Sequence, residues 1–167
     1  MPAGRVHDQI TLVALPFVTL AMLLLSRNAR LTLIVASAFL FSGLMFGPDL
    51  DIYSLQFKRW GWLRYIWIPY QRMLKHRSWL SHGPIVGTIL RIVYLGVWVG
   101  AATLAAVLLH QGGQFSLDWQ QSQRLTEQFS HQYWPEGLAA FVGLELGSMS
   151  HALSDSLMSM YKSLCKE

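Results

Sequence analysis

The sequence predicts an all-α fold, namely an integral membrane bundle of about four transmembrane helices with an interfacial cytoplasmic segment. Of its 167 residues, 53% are hydrophobic and only 13% are charged, which is about half the charged fraction of a typical soluble domain. A chain of this length predicts a single domain over residues 1–167. The single cysteine, Cys165, excludes an internal disulfide and a cysteine-based zinc site.

Four apolar segments define the predicted helices, over about residues 10–26, 31–47, 84–109 and 137–153. A helix needs about 20 apolar residues to cross a bilayer, so these lengths are of the right order. Because the second segment is apolar on every face, it favours a membrane helix over four buried helices in a soluble bundle. The turn at residues 27–30 is short, so the first two helices should form an antiparallel hairpin.

Two longer connections differ in character. Residues 48–83 are basic and aromatic, and Trp and Tyr favour the headgroup zone, so we expect an interfacial loop. Residues 110–136 are polar and nearly neutral and are expected to form an external loop. A basic aromatic stretch also occurs in nucleic-acid-binding proteins, but the membrane interpretation fits better, so membrane lipid is the expected partner and nucleic acid is not.

The distribution of basic residues orients the chain by the positive-inside rule. Residues 48–83 should lie in the cytoplasm together with both termini, whereas Arg27 and Arg30 are outnumbered exceptions on the outer side. With this topology, eight histidines and aspartates at the ends of apolar segments fall on one membrane face, where ionisable groups are costly and usually functional. They are His7, Asp8, Asp49, Asp51, His76, His82, His151 and Asp155.

His151 and Asp155 are four residues apart, so they share one helical face and can bind one cation together. The alternative is a structural His–Asp pair. Asp49 and Asp51 follow an apolar helix at its C-terminal end, where carboxylates are disfavoured unless a cation offsets them. The alternative there is a simple polar boundary after Pro48.

The histidines His76 and His82 flank Arg77, just before the third apolar segment. We expect His76 to act in the metal shell or in acid–base catalysis, and Arg77 to hold an anionic substrate. The predicted metal ligands are His7, Asp49, Asp51, His82, His151 and Asp155.

A site rich in imidazole and carboxylate and free of thiolate favours zinc first, with Mn or Fe as alternatives, as one or two ions. Such ions make bound water a nucleophile at neutral pH. The expected reaction is hydrolysis of an ester or phosphoester, on a lipid-derived or phosphorylated substrate near the membrane surface.

Arg91 and Glu145 lie inside apolar segments, at similar predicted depths. A structural ion pair between the third and fourth helices accounts for both. The functional alternative assigns substrate-anion binding to Arg91 and a general-base role to Glu145.

The ordered motifs resemble those of a bacterial, largely cyanobacterial, family of uncharacterised metal-binding membrane proteins. More distantly, they are similar to the membrane-bound metal-dependent hydrolases, from which Gly83 and the His76–His82 spacing depart. The resemblance implies metal binding and an integral protein of a bacterial inner or thylakoid membrane. The matching motifs are Gly4-Arg5-Val6-His7-Asp8, Pro48-Asp49-Leu50-Asp51, His76-Arg77-Ser78-Trp79-Leu80-Ser81-His82-Gly83-Pro84 and Ser150-His151-Ala152-Leu153-Ser154-Asp155.

Two functions remain open from the sequence. The first is a membrane-embedded metal-dependent hydrolase acting at the cytoplasmic face. The second is a non-catalytic membrane protein with a structural metal that assists a membrane complex. A transporter is a weaker third option, since only Arg91 and Glu145 offer polarity at depth. The sequence does not define an oligomeric state.

Overall fold

The computed structural model describes residues 4–76, 78–110 and 119–164, without the side chains at positions 125, 157–159 and 161–164. Within these ranges the chain is helical and has no strand, which confirms the all-α prediction. In chain order, the helices are α1 (Gly4–Ser26), α2 (Ala29–Leu44), a 3-10 helix (Pro48–Asp51), α3 (Leu55–Arg59), a second 3-10 helix (Gly61–Trp67), α4 (Ile68–Met73), α5 (Trp79–His82), α6 (Val86–His110) and α7 (Trp119–Leu164).

Helices α1 and α2 form the hairpin that the short turn predicts. Arg27 adopts a positive φ of 49° at the turn. Asn28 is the N-cap of α2, because its side-chain oxygen accepts the backbone N–H groups of Arg30 at 3.0 Å and Leu31 at 3.2 Å. The two helices then pack against each other.

Helix α7 packs mainly against α2, along two glycines. A Cβ atom added at Gly147 would lie 2.6 Å from the carbonyl oxygen of Phe39, and one added at Gly143 would meet the carbonyl oxygen of Val35. Small residues at this spacing let two helix backbones approach closely. The G-x-x-x-G pair at 143–147 is therefore a helix contact, whereas Gly96 and Gly100 in α6 meet nothing within 4 Å.

Helix α7 begins at Trp119, not near residue 137, so residues 119–136 are helical and not an irregular loop. These residues are mostly polar, which is why their composition indicates a loop. They also lack glycine, their only proline is Pro135, and Gln, Arg, Leu and Glu favour helix. Polarity alone therefore does not exclude a helix here.

Residues 48–83 form a series of short helices and not an irregular loop. Their aromatic side chains divide into two sets. Trp67 and Tyr70 are buried with Phe46, Leu50 and Phe57 in a hydrophobic cluster. A second set, Trp62, Tyr65 and Trp79, is exposed, with Trp62 80% accessible. One face of this segment thus belongs to the core, and only the other can lie in an interface.

Three described helical stretches are long and apolar enough to cross a membrane, by length and composition: Gly4–Ser26, Ala29–Asp51 and Val86–His110. The predicted fourth span, within α7, is not apolar enough over a sufficient length to be counted among them. Its apolar run is interrupted by Glu145, Ser148 and Ser150, on a helix that is covered in part by α2. Much of the apolar surface of α1 and α6 is exposed, including Phe17, Leu24 and Val97.

Candidate metal centre

Seven of the eight predicted histidines and aspartates meet at one end of the bundle. They come from five separate segments: the start of α1, the 3-10 helix after α2, the residues before α5, the end of α5, and α7. Contacts among their side chains join the whole set: His7, Asp49, Asp51, His76, His82, His151 and Asp155.

The first part of the cluster, which we call the inner group, consists of His7, His151 and Asp155. All three residues are buried, and one ligand atom from each lies within 4.8 Å of those of the other two. His7 Nε2 lies 3.3 Å from Asp155 Oδ1. The rings of His7 and His151 stack with their centroids 3.9 Å apart. This group can therefore offer two nitrogens and one oxygen to a single ion.

The second part, which we call the outer group, consists of Asp49, His76 and His82. Their ligand atoms also lie within 4.8 Å of one another, and all three residues are partly exposed. His82 Nε2 lies 3.9 Å from Asp49 Oδ1. The rings of His76 and His82 are nearly perpendicular, with centroids 5.1 Å apart. This group again offers two nitrogens and one oxygen.

Asp51 lies behind the outer group. Its side chain is fully buried, and its Oδ1 accepts a hydrogen bond from His76 Nδ1 at 2.8 Å. Its Oδ2 is 3.8 Å from His82 Nδ1, which is also hydrogen bonded to the Ser81 hydroxyl at 2.9 Å. A carboxylate that binds one ring nitrogen orients the other nitrogen toward a metal. The arrangement thus gives Asp51 an orienting position and brings His76 into the outer group.

Unpartnered buried atoms test whether a metal fits this cluster. Buried polar atoms in native proteins nearly always have a hydrogen-bond partner. Here several buried ring nitrogens lack one, and a cation would satisfy such nitrogens. The atoms are His7 Nδ1, His76 Nε2, His82 Nε2, His151 Nδ1 and His151 Nε2.

The protonation state of His82 also suits a metal. Burial lowers the pKa of His82 below its ordinary value, although Asp51 and Asp49 act in the opposite direction. The imidazole is therefore neutral at neutral pH. Neutral imidazole is the form that binds metal ions.

Arg91 is held by protein groups near the cluster. Its side chain is 0% exposed. Its guanidinium donates to the Ser81 carbonyl oxygen at 2.9 Å, to the Thr88 hydroxyl at 3.0 Å and to the Ser148 hydroxyl at 2.7 Å. Burial raises the pKa of the neighbouring Tyr70 to about 12, so this phenol is neutral. These contacts favour a role in positioning α5 and α7 over contact with a substrate.

Glu145 has a different partner from the one expected. Its Oε1 accepts the backbone N–H of Ile85 at 2.9 Å, and Ile85 has a positive φ of 64° just before α6. A β-branched residue is strained in that conformation. Both Arg91 and Glu145 are described in full, and no ion pair joins them. Glu145 therefore holds the turn into α6, and the predicted Arg91–Glu145 pair is replaced by two separate sets of hydrogen bonds.

Comparison with known proteins agrees with the chemistry of the cluster. The family described as "Uncharacterized metal-binding protein (DUF2227)" matches residues 2–165. The chain belongs to this metal-binding family. A protein of Aquifex aeolicus (strain VF5), described as an uncharacterized protein, is 37% identical over 49 residues. That match covers 29% of this chain and 34% of the relative, so the chain spans about a third of the relative's length. No solved structure matches the chain significantly.

One of the eight predicted histidines and aspartates falls outside the cluster. Asp8 forms a bidentate ion pair with Arg59, at 2.8 and 2.5 Å, and so is not available to a metal. Arg77, the predicted anion-binding residue, lies outside the described residues. The Asp51–His76 contact carries no local sequence signal, because it joins residues 25 positions apart.

Proposed function

We propose that this metal-binding protein is embedded in a membrane and hydrolyses an ester or phosphoester at the cytoplasmic membrane face. The observation that carries the proposal is the cluster itself. Four histidines and three aspartates from five segments surround buried ring nitrogens that lack partners. A fold keeps such atoms together at a cost, because buried polar groups without partners are unfavourable.

The proposed chemistry belongs to the outer group. When bound there, an ion lowers the pKa of a coordinated water and polarises the bond to be cleaved. Asp49, His76 and His82 hold that ion in the proposal, and Asp51 orients His76. We propose zinc as the first candidate, with Mn or Fe as alternatives, because the donors are imidazole and carboxylate. The partial exposure of this group makes it accessible from solution.

The proposed membrane location rests on two features. Three helical stretches are long and apolar enough to cross a bilayer. Exposed Trp62 and Tyr65 stand near exposed Lys58, Arg72 and Lys75 in the segment that connects the second and third of these stretches. Aromatic and basic side chains of this kind favour the headgroup zone of the cytoplasmic leaflet. A lipid-derived or phosphorylated substrate would reach the outer group from that zone.

Hydrolysis can be tested on detergent-purified protein loaded with Zn²⁺ or Mn²⁺, using a panel of p-nitrophenyl phosphoesters and carboxyl esters. We expect turnover in wild-type protein and in His110→Ala, since His110 lies at the far end of α6. We expect a loss of at least 100-fold in His82→Ala, of the order of a general acid–base or metal contribution. Equal turnover in wild type and His82→Ala would contradict the proposal.

A structural metal without catalysis is the second candidate, and the burial of the inner group favours it. An ion that binds only the folded state raises stability in proportion to its affinity. If metal binds and raises the unfolding temperature while no ester in the panel is cleaved, this candidate replaces the hydrolase.

A further inference from the structure

Asp49 lies between the inner and outer groups and contacts a histidine of each. Asp49 Oδ2 lies 3.2 Å from His151 Nε2 in the inner group. Asp49 Oδ1 lies 3.9 Å from His82 Nε2 in the outer group. One carboxylate thus directs one oxygen toward each set of histidines. Carboxylates with one oxygen on each side are the usual bridge between two metal ions.

We propose that the cluster binds two divalent cations bridged by Asp49, with a closed inner ion and an open outer ion. His7, His151 and Asp155 complete the inner site, and His76 and His82 complete the outer site. The inference rests on the proposed metal-binding function and adds the number of ions and their different roles.

The ligand counts distinguish the two ions. With Asp49, the inner site has four protein ligands, as in closed structural zinc sites. The outer site has three, since Asp51 contacts the Nδ1 atoms of His76 and His82 and not their unpartnered Nε2 atoms. Three protein ligands plus an open position are typical of catalytic zinc. The inner ion is therefore structural, and the outer ion is the one that meets a substrate.

Burial supports the same division. The His151 side chain is 2% exposed and that of His7 is 5% exposed. In the outer group, the His76 side chain is 23% exposed. A chelator or substrate in solution can approach the outer position more readily than the inner one, because the inner histidines are covered by the protein.

The charge of the loaded centre indicates the substrate class. Two divalent ions outweigh the three carboxylates Asp49, Asp51 and Asp155, whereas the nearby charges of Arg91 and Glu145 oppose each other. A centre with excess positive charge attracts an anion. A phosphoester therefore fits the two-ion centre better than a neutral carboxyl ester.

Metal content and release rates test the proposal without measuring turnover. Purified full-length protein is loaded with Zn²⁺, freed of excess metal, and analysed for zinc per chain, and release to a chromogenic chelator is then followed. We expect about two equivalents in wild type, released in one fast and one slow phase. His76→Ala/His82→Ala should lose the fast equivalent, whereas His7→Ala/Asp155→Ala should lose the slow one. The matched control, His110→Ala/His131→Ala, should retain both.

A spectroscopic measurement on wild type covers the case in which an inner variant does not fold. With Mn²⁺ in both sites, we expect the electron paramagnetic resonance spectrum of an exchange-coupled pair. A single zinc equivalent, or an uncoupled Mn²⁺ spectrum at full loading, would overturn the two-ion centre but leave metal binding intact. Absence of any bound metal would overturn the proposed function as well, so the two failures are distinguishable.

Discussion

The Asp51 carboxylate acts on a metal through His76, to which it is hydrogen bonded at 2.8 Å. We predict that Asp51→Ala lowers the affinity of the outer ion by about 10–100-fold, as is typical when such an orienting carboxylate is removed. Competition with a chromogenic chelator measures this affinity. The matched control is Asp8→Ala, because Asp8 contacts Arg59 and not the cluster. Equal affinities in wild type and Asp51→Ala would remove the orienting role.

Arg91 is a second residue whose contacts give a prediction. Leucine at this position leaves the Ser81 carbonyl and two hydroxyls without their donor. Each buried acceptor without a donor costs about 1–3 kcal/mol, so Arg91→Leu should lower the free energy of unfolding by several kcal/mol. The exposed Arg72→Leu should change it by less than about 0.5 kcal/mol. Thermal unfolding in detergent compares them, and similar unfolding temperatures would contradict this account of Arg91.

Among the elements, the contact between α2 and α7 depends on glycine. Alanine at Gly147 would place a Cβ 2.6 Å from the Phe39 carbonyl oxygen, so the helices must separate. We predict that Gly147→Ala lowers the free energy of unfolding by about 1–3 kcal/mol, the usual cost of overpacking. Gly96→Ala is the matched control, since nothing lies within 4 Å of that position. It should be neutral or stabilising by up to about 1 kcal/mol, and equal destabilisation by both variants would contradict the packing described here.

The elements also show which parts of the structure are predictable from sequence. The α1–α2 hairpin follows from the short turn, and His151 and Asp155 share a face because of their spacing. The true start of α7 at Trp119 does not follow, because residues 119–136 are mostly polar and their composition resembles that of a loop. The partners of Arg91 and Glu145 were also missed, since hydroxyls and backbone groups carry no charge pattern that would identify them.

On the scale of the whole molecule, the main prediction concerns which residues lie on each side of the membrane. If the chain crosses the membrane as proposed, Lys58 and Thr126 lie on opposite sides. We predict that in a Cys165→Ser background a membrane-impermeant thiol reagent labels Thr126→Cys from outside intact cells and Lys58→Cys only from the cytoplasmic side. Both positions are exposed, which makes them a matched pair. Labelling of both from the same side would contradict the proposed orientation.

Topology alone predicts that the histidines and aspartates lie close together. It does not predict which of them face an ion and which orient a ligand. The positive-inside rule alone predicts that the histidines and aspartates share one face. Which carboxylate faces an ion and which one orients a histidine depends on local turns, such as the 3-10 helix that directs Asp51 inward and leaves Asp49 partly exposed. Apolar periodicity contains no information about that choice.

Metal content tests the central claim most directly. Elemental analysis of the purified protein should find bound divalent metal in wild type and in His110→Ala/His131→Ala. The same analysis should find little or none in His82→Ala/His151→Ala, which removes one histidine from each group. Because both double variants remove two histidines, a difference in their metal content reflects the positions of those histidines and not their number. Equal metal content in the two variants, or no metal in wild type after loading, would contradict a metal centre at this cluster.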